Sequence, residues 1–103
     1  MSAADEPDAA DDRAFLALVE AVAERRPNRE PIEAVVLAAA FVGAVADSRS
    51  LAKAFEVAHA HALRAVAALE EAGLVAVGRR DARSSRAHYV LTADGTALVD
   101  AAV

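Results

Sequence analysis

Cysteine is missing from this chain of 103 residues, and long hydrophobic runs are missing too. Without cysteine there is no disulfide, no thiolate metal site and no cysteine nucleophile. The longest uncharged apolar stretch, residues 34–46, has 13 residues, whereas a membrane-spanning helix needs about 20. The N-terminus is acidic, where a secretory signal would be basic. We therefore expect a single-domain cytoplasmic protein.

Large apolar side chains are also scarce. Hydrophobic residues make up 56% of the chain, but 30 of them are alanine. Alanine favours helix and buries little area. The composition predicts a mainly helical fold with one small core. Pairing of two copies would help so small a core, and we expect a homodimer.

The charge is unevenly distributed along the chain, although the net charge is −5. Residues 1–47 carry four arginines against ten acidic residues, which gives −6. Residues 48–92 carry seven basic residues against four acidic ones, which gives +3, and they include all three histidines. Residues 93–103 add −2. A basic surface is therefore expected on the segment 48–92.

Apolar spacing and turn residues divide the chain into elements. Residues 1–11, rich in alanine and acidic residues, predict a disordered acidic tail before one domain. The predicted elements are an N-terminal helix at 12–26, a central helix at 31–46, a helix pair at 50–56 and 59–72, a hairpin at 74–91 and a C-terminal helix at 93–102. This is the order of parts of a winged helix-turn-helix, a mainly α fold with a small β-hairpin wing.

Capping residues support several of these boundaries. Gly73 is expected to take the left-handed conformation that ends the helix at 59–72. The candidate N-caps are Asp11 or Asp12 for the first helix, Ser48 or Ser50 for the third, and Thr92 for the last.

The helix at 59–72 is the candidate for reading bases in a major groove. Its apolar stripe points inward, so we expect Ala60, Arg64, Ala67 and Glu71 to face outward, with His61 beside them. Arg64 could make a bidentate contact to guanine, and alanine could touch a thymine methyl. His61 could reach a phosphate or a base. The alternative is that Arg64 is only a solvated helix residue.

The hairpin tip is the second candidate for contact with DNA. Arginines at such a tip suit a phosphate backbone or a narrow minor groove. Asp81 would repel a phosphate, so we expect it to stabilise the hairpin by an ion pair with Arg83 or a neighbour. The candidate DNA-binding residues of the hairpin are Arg79, Arg80, Arg83, Ser84, Ser85 and Arg86.

Three motifs in this region resemble those of the MarR-type winged-helix transcriptional regulators. Residues 69–75 read Leu-Glu-x-x-Gly-Leu-Val, residues 81–86 read Asp-x-Arg-x-x-Arg, and residues 91–95 read Leu-Thr-x-x-Gly. The resemblance covers roughly residues 34–100. It implies that Asp81 and Arg83 form the wing-tip pair, that Arg83 enters the minor groove and that Arg64 lies on the recognition helix.

The chain also departs from the family, which continues into a long C-terminal helix that builds the dimer. Here the sequence stops at Val103. A dimer would therefore use the helix at 12–26, the terminal helix around Leu98 and Val99, or both. A small-molecule effector remains possible on this resemblance, but no residue pattern supports one.

Catalytic and metal-binding patterns are not found. His59 and His61 are two residues apart, about 200° around a helix, so they cannot chelate one ion together. No nucleophile elbow or phosphate-cradling glycine loop is present. We expect neither an enzyme nor a cofactor. The rival to DNA binding is a winged-helix protein-interaction module without operator binding, which would use the helix at 31–45 or Leu63.

Overall fold

The computed structural model describes residues 5–103, with side chains from residue 11 onward. Within this range the chain forms five helices and a two-stranded antiparallel sheet. The elements are α1 (Asp5–Arg25), α2 (Pro31–Phe41), α3 (Ser48–Phe55), α4 (His59–Glu71), β1 (Val75–Arg80), β2 (Ala87–Leu91) and α5 (Ala93–Ala102). The prediction of a mainly helical chain with a small hairpin is confirmed. No helix of the described range has both the length and the apolarity needed to cross a bilayer.

The first helix begins earlier than the sequence pattern predicted. α1 starts at Asp5, so residues 5–11 are helical and not a disordered tail, and Asp11 and Asp12 lie within the helix. Residues 1–4 of the predicted tail lie outside the described residues. Acidic residues are favoured in a first helical turn by the helix dipole, proline is tolerated there, and alanine favours helix. The composition that indicated a tail therefore also suits a helix N-terminus.

The central helix is α2, and it ends five residues earlier than the predicted 46. Seven of its eleven residues are buried, as expected for a helix covered on several sides. Gly43 ends it in the left-handed conformation with φ 76°. Gly43 N donates to Ala40 O and Ala44 N donates to Ala39 O, which is the Schellman arrangement.

α1, α4 and α5 pack around α2. The largest fully buried side chains are Val22, Val36, Leu37, Leu51, Val66, Leu69, Val75, Tyr89 and Val99. A buried ion pair also joins the first two helices, since Arg26 Nη1 donates to Glu33 Oε1 at 2.5 Å. Arg26 directly follows α1, so this ion pair joins the end of α1 to α2.

The N-cap of α3, the first helix of the pair α3 and α4, differs from the predicted one. Asp47 caps α3, because its Oδ1 accepts a hydrogen bond from Ser50 N at 2.8 Å. Ser48, predicted as a cap, is the first helical residue and is buried. Glu56 has φ 55° and ends α3 in the left-handed conformation. Gly73, as predicted, does the same after α4, with φ 79°.

The hairpin contains a β-bulge that the sequence pattern did not indicate. Val77 pairs with Tyr89 and Arg79 pairs with His88, which leaves Gly78 as the extra residue. Chain segment 46–47 lies along the other edge of β2, where Tyr89 N donates to Ala46 O at 3.0 Å. The hairpin is thus attached to the segment that leads into α3.

The open end of the hairpin is closed by a junction between the end of α4 and the start of α5. Thr92 caps α5 as predicted, because its Oγ1 accepts from Gly95 N at 3.0 Å. The same hydroxyl donates to Gly73 O at 2.6 Å, and Thr92 N donates to Leu74 O at 3.0 Å. The first and third of the motifs noted in the sequence therefore meet in space.

Candidate nucleic-acid interface

One buried hydroxyl connects the three elements of the candidate interface. Ser48 Oγ accepts a hydrogen bond from Ala87 N at 2.9 Å and lies 2.8 Å from His59 Nε2. It therefore joins α3 to β2 and to the first residue of α4. Because the oxygen already accepts from Ala87, its own proton is available to His59, which then needs an unprotonated Nε2.

The surroundings of His59 favour this neutral form. Burial lowers the pKa of His59 below its ordinary value, and the positive charges of Arg49, Arg86 and Arg80 lower it further, against the opposing charge of Asp47. A neutral imidazole with its proton on Nδ1 can accept the Ser48 hydroxyl proton at Nε2. The local electrostatics and the hydrogen bond therefore agree.

Asp47 fixes the tip end of the hairpin against α3. Besides the bond from Ser50 N, its Oδ2 accepts from Ser50 Oγ at 2.9 Å, and its Oδ1 lies 3.5 Å from Arg86 Nε. Burial acts to raise the pKa of Asp47, but the Ser50 hydrogen bonds and the charges of Arg86 and His88 outweigh it, and the net shift is downward. Asp47 is thus a stable carboxylate that orients Arg86.

A groove of about 460 Å³ opens beside this junction, and we call it the basic groove. It is lined by Arg49, Ser50, Ala52, Lys53, Val57, His59 and Arg86. Arg49 Nε and Nη2 donate to Ser84 O at 3.3 and 3.1 Å, so this α3 side chain reaches the hairpin tip.

Arg49, Lys53 and His59 were not among the residues predicted for this site from the sequence. The signal that could have found the two cations is their i, i+4 spacing within the +3 segment, which puts both on one face of α3. His59 becomes a candidate only when the fold places it beside them.

The bulge at Gly78 separates the hairpin arginines. Arg79 pairs with His88, and its Nη2 lies 3.2 Å from His88 Nε2, while Arg80 pairs with the buried Ala87. Successive strand residues point to opposite faces, so Arg80 lies on the face nearer His59. Without the extra residue, Arg79 would occupy that position.

Asp81 contacts a neighbour of Arg83, not Arg83 itself. Its Oδ1 lies 3.5 Å from Arg79 Nε, and its Oδ2 lies 3.5 Å from His88 Nε2. The Asp81 backbone closes the tip, because Asp81 N donates to Arg86 O and Ser85 N donates to Asp81 O, both at 2.9 Å. The prediction named Arg83 or a neighbour as the ion-pair partner of Asp81, and the observed partner is the neighbour, Arg79.

Arg83 and Ser85 are exposed at the tip of the hairpin. Ser85 has φ 59°, a left-handed conformation, and Arg86 N donates to Ser84 Oγ at 3.2 Å. Within the described residues Arg83 makes no ion pair. Its guanidinium is thus free of carboxylate partners within the described residues, as is that of the exposed Arg80.

The outer face of α4 is largely as the apolar spacing indicated. Ala60, Arg64, Ala67 and Glu71 are all exposed. His61 differs, because its Nε2 is buried and lies 3.5 Å from Glu30 Oε1, next to the start of α2. The local pattern could not reveal this neighbour, which comes from a distant turn. His61 is therefore directed toward Glu30 through Nε2, and its contact with DNA stays a prediction.

Comparison with known proteins adds no family to this geometry. Neither a protein-family model nor a curated protein matches the chain. The functional argument therefore depends on the basic groove, the hairpin tip and the outer face of α4.

Proposed function

We propose that the protein is a DNA-binding transcriptional regulator with a winged helix-turn-helix of the MarR type. In this proposal α3 and α4 are the helix-turn-helix and the hairpin is the wing. The observation that carries the proposal is the contact from Arg49 to Ser84 O, at 3.1 Å from Nη2. It brings the cations of α3 onto the same surface as those of the hairpin, next to the start of α4.

The two parts of this surface suit the two grooves of a duplex. The outer face of α4 would enter the major groove, with Arg64 able to pair with a guanine edge and Ala60 able to touch a thymine methyl. The exposed Arg83 would reach the backbone or the narrow minor groove, where negative potential is enhanced. Asp81 would keep the tip in shape through Arg79 and His88.

The overall acidity of the chain does not oppose this arrangement. Among the described side chains, the carboxylates of residues 11–47 pair with one hairpin arginine, Arg86, through Asp47. Glu30 faces His61 and Glu33 faces Arg26. The cations of the proposed DNA surface are therefore largely available to phosphates.

The test is a salt titration of duplex binding by fluorescence anisotropy. Arg83→Ala should weaken binding to all sequences. It should also reduce the slope of log K against log salt by the amount that corresponds to about one phosphate contact. The matched control is Arg13→Ala, which removes an exposed arginine from α1 and should leave both quantities unchanged. Equal affinity and slope for the wild type and the Arg83 variant would refute the role of the wing.

In this proposal the functional unit is a homodimer that binds an inverted repeat, with half-sites about one helical turn apart. The dimer surface would include an apolar groove of about 580 Å³ between α1, the end of α2 and the C-terminus. It is lined by Asp11, Asp12, Ala14, Phe15, Leu18, Phe41, Val42 and Val103. Exposed apolar surface of this kind is typical of a protein-protein contact.

A second candidate is a winged-helix protein-interaction module without operator binding. It is favoured by the outer face of α4, where Ala60 and Ala67 offer no side-chain hydrogen bonds to bases. A titration with random duplex at low salt separates the two candidates. Non-specific binders have dissociation constants of roughly 10⁻⁴–10⁻⁶ M even at physiological salt, so no binding at tens of micromolar would favour the second.

A further inference from the structure

We infer that the basic groove is a binding site for a phosphate group, held by Arg49, Lys53 and Arg86. A backbone phosphate of DNA is its occupant if the proposed function is right. The phosphate site itself does not depend on that function. None of the residues that line the groove is acidic. It therefore presents three positive charges to one small volume, and the carboxylate of Asp47, which lies 3.5 Å from Arg86 Nε, is not part of its lining.

The two arginines are already oriented for a ligand. Arg49 uses Nε and Nη2 to bind Ser84 O, and a guanidinium has five donors, so donors on both terminal nitrogens remain. Arg86 is held from its Nε side by Asp47, which leaves its two terminal nitrogens. Side chains ordered before binding lose less entropy when a ligand arrives. Guanidinium groups also match the geometry of phosphate oxygens.

The basic groove concentrates like charges. Lys53 follows Arg49 by one helical turn, and Arg86 lies across the groove on the hairpin side. The charges of Arg49, Arg86 and Arg80 are also the ones that hold the pKa of His59 down. An anion would relieve this mutual repulsion, which gives a thermodynamic reason for binding.

His59 adds a donor and a reporter. Its Nε2 lies 2.8 Å from Ser48 Oγ, and when Nε2 accepts the hydroxyl proton, the neutral ring carries its own proton on Nδ1. α4 begins at His59 without a side-chain cap, so the positive end of the helix dipole faces the same region. A bound phosphate should raise the pKa of His59, because a nearby negative charge favours the imidazolium.

The first experiment titrates the intact protein with inorganic phosphate at constant ionic strength, followed by NMR of the three imidazoles. We expect a saturable shift of the His59 signals and an upward change in its pKa, with smaller effects at His61 and His88. Arg49→Gln with Lys53→Gln should abolish the response. Arg64→Gln, a matched loss of one exposed cation outside the groove, should preserve it.

Two results would overturn the phosphate site. One is a linear, non-saturating response that is equal at all three histidines, which describes an adventitious ion only. The other is a saturable response that survives in the Arg49→Gln, Lys53→Gln variant. Heteronuclear spectra of both variants establish that each is folded, so loss of the response cannot be assigned to unfolding.

The second experiment identifies the source of the phosphate by binding to a random duplex. If the backbone is the occupant, the double variant should lose about one phosphate contact from the salt slope, a change of ~0.9. Free phosphate should then compete with duplex more strongly in the wild type than in the variant. Phosphate binding without duplex binding would support the site, assign it to a free phosphate-bearing molecule and refute the proposed function. Duplex binding with an unchanged slope and no phosphate response would refute the site alone.

Discussion

Gly95 illustrates how one residue fixes the junction at the base of the hairpin. A Cβ at this position would overlap the carbonyl oxygen of Leu74 and lie 3.3 Å from Leu91 Cδ2. The end of α4 and the start of α5 can approach this closely because Gly95 has no side chain. The glycine of the Leu-Thr-x-x-Gly motif thus has a packing role in this fold.

We therefore expect Gly95→Ala to destabilise the protein by about 1–3 kcal/mol, the usual cost of overpacking. This sign is opposite to that for an unhindered helix position, where alanine is preferred to glycine by about 1 kcal/mol. The measurement is the free energy of unfolding by denaturant titration. Thr96→Ala, at the exposed neighbouring position, is the control and should change it little. A stabilised Gly95→Ala variant would contradict the close approach.

Ser48 gives a second prediction at the scale of single residues. Removing its hydroxyl leaves the buried Ala87 N–H and His59 Nε2 without their partner. Unsatisfied buried groups cost about 1–3 kcal/mol each. Ser48→Ala should therefore lower the free energy of unfolding by at least this order, whereas Ser85→Ala at the exposed tip should have a small effect. Equal stabilities for the two variants would show that Ser48 does not join the elements.

At the scale of elements, the Gly78 bulge determines the face of the hairpin on which Arg79 and Arg80 each lie. A regular ladder would place Arg79 opposite Ala87, whereas the bulge gives that place to Arg80 and leaves Arg79 with His88. The arginine-rich segment is therefore not one uniform basic surface. Arg79 is held by Asp81 on one face, Arg80 lies nearer the basic groove on the other, and Arg83 occupies the tip.

The stability that the contact between α3, α4 and β2 gives to the fold should depend on pH. The pKa of His59 is lowered from 6.5 in the folded chain, so the unfolded chain binds more protons as the pH falls through that value. His59 thus stabilises the fold fully above about pH 6.5 and progressively less below it. Asp47, whose pKa is lowered from 3.8, acts in the same direction, but its contribution is lost only as the pH falls through its lower folded value.

We expect the free energy of unfolding to fall between pH 7 and pH 5 in the wild type, and to fall less in His59→Gln. Glutamine keeps an acceptor near Ser48 but does not titrate. Denaturant titrations at several pH values measure this difference. Parallel curves for the two proteins between pH 7 and pH 5 would contradict the assigned pKa shift of His59.

At the scale of the whole molecule, three of the four large apolar side chains that are exposed among the described residues lie outside the basic segment 48–92. They are Leu16, Val42 and Val103. Val42 is 54% exposed and Val103 is 83% exposed, and both line the apolar groove beside α1, whose Leu16 is 59% exposed. Because the core is so small, burial of this surface against a second copy would stabilise the fold.

If the proposed homodimer forms through this groove, Val42→Asp should shift it toward monomer, because a charge would be buried in an apolar interface. Light scattering over a concentration series measures the mass. Val90→Asp is the matched control, since Val90 is 64% exposed on the hairpin and lies outside this groove. A wild type that is monomeric throughout, or equal disruption by both variants, would remove the proposed interface.

The parts of the fold that were predictable from sequence are those that neighbouring residues specify. Gly73 and Thr92 mark the end of α4 and the start of α5 through bonds to residues a few positions away. The bounds of α5 and the end of the hairpin at residue 91 followed from the same kind of signal. The errors at the start of α1 and the end of α2 arose where one composition suits two structures, such as an acidic tail and an acidic first turn.

The sequence by itself determined the helical character, the end of α4 at Gly73, the cap of α5 at Thr92 and the concentration of positive charge in residues 48–92. Only the tertiary structure decided that Ser48 is a buried joint, since its bond to Ala87 spans 39 residues. It also decided that Arg49 meets Ser84 across 35 residues and that His61 turns to Glu30. The physical reason is range: a cap or a stripe is set by residues within one or two turns, whereas a groove forms only when packing brings distant segments together.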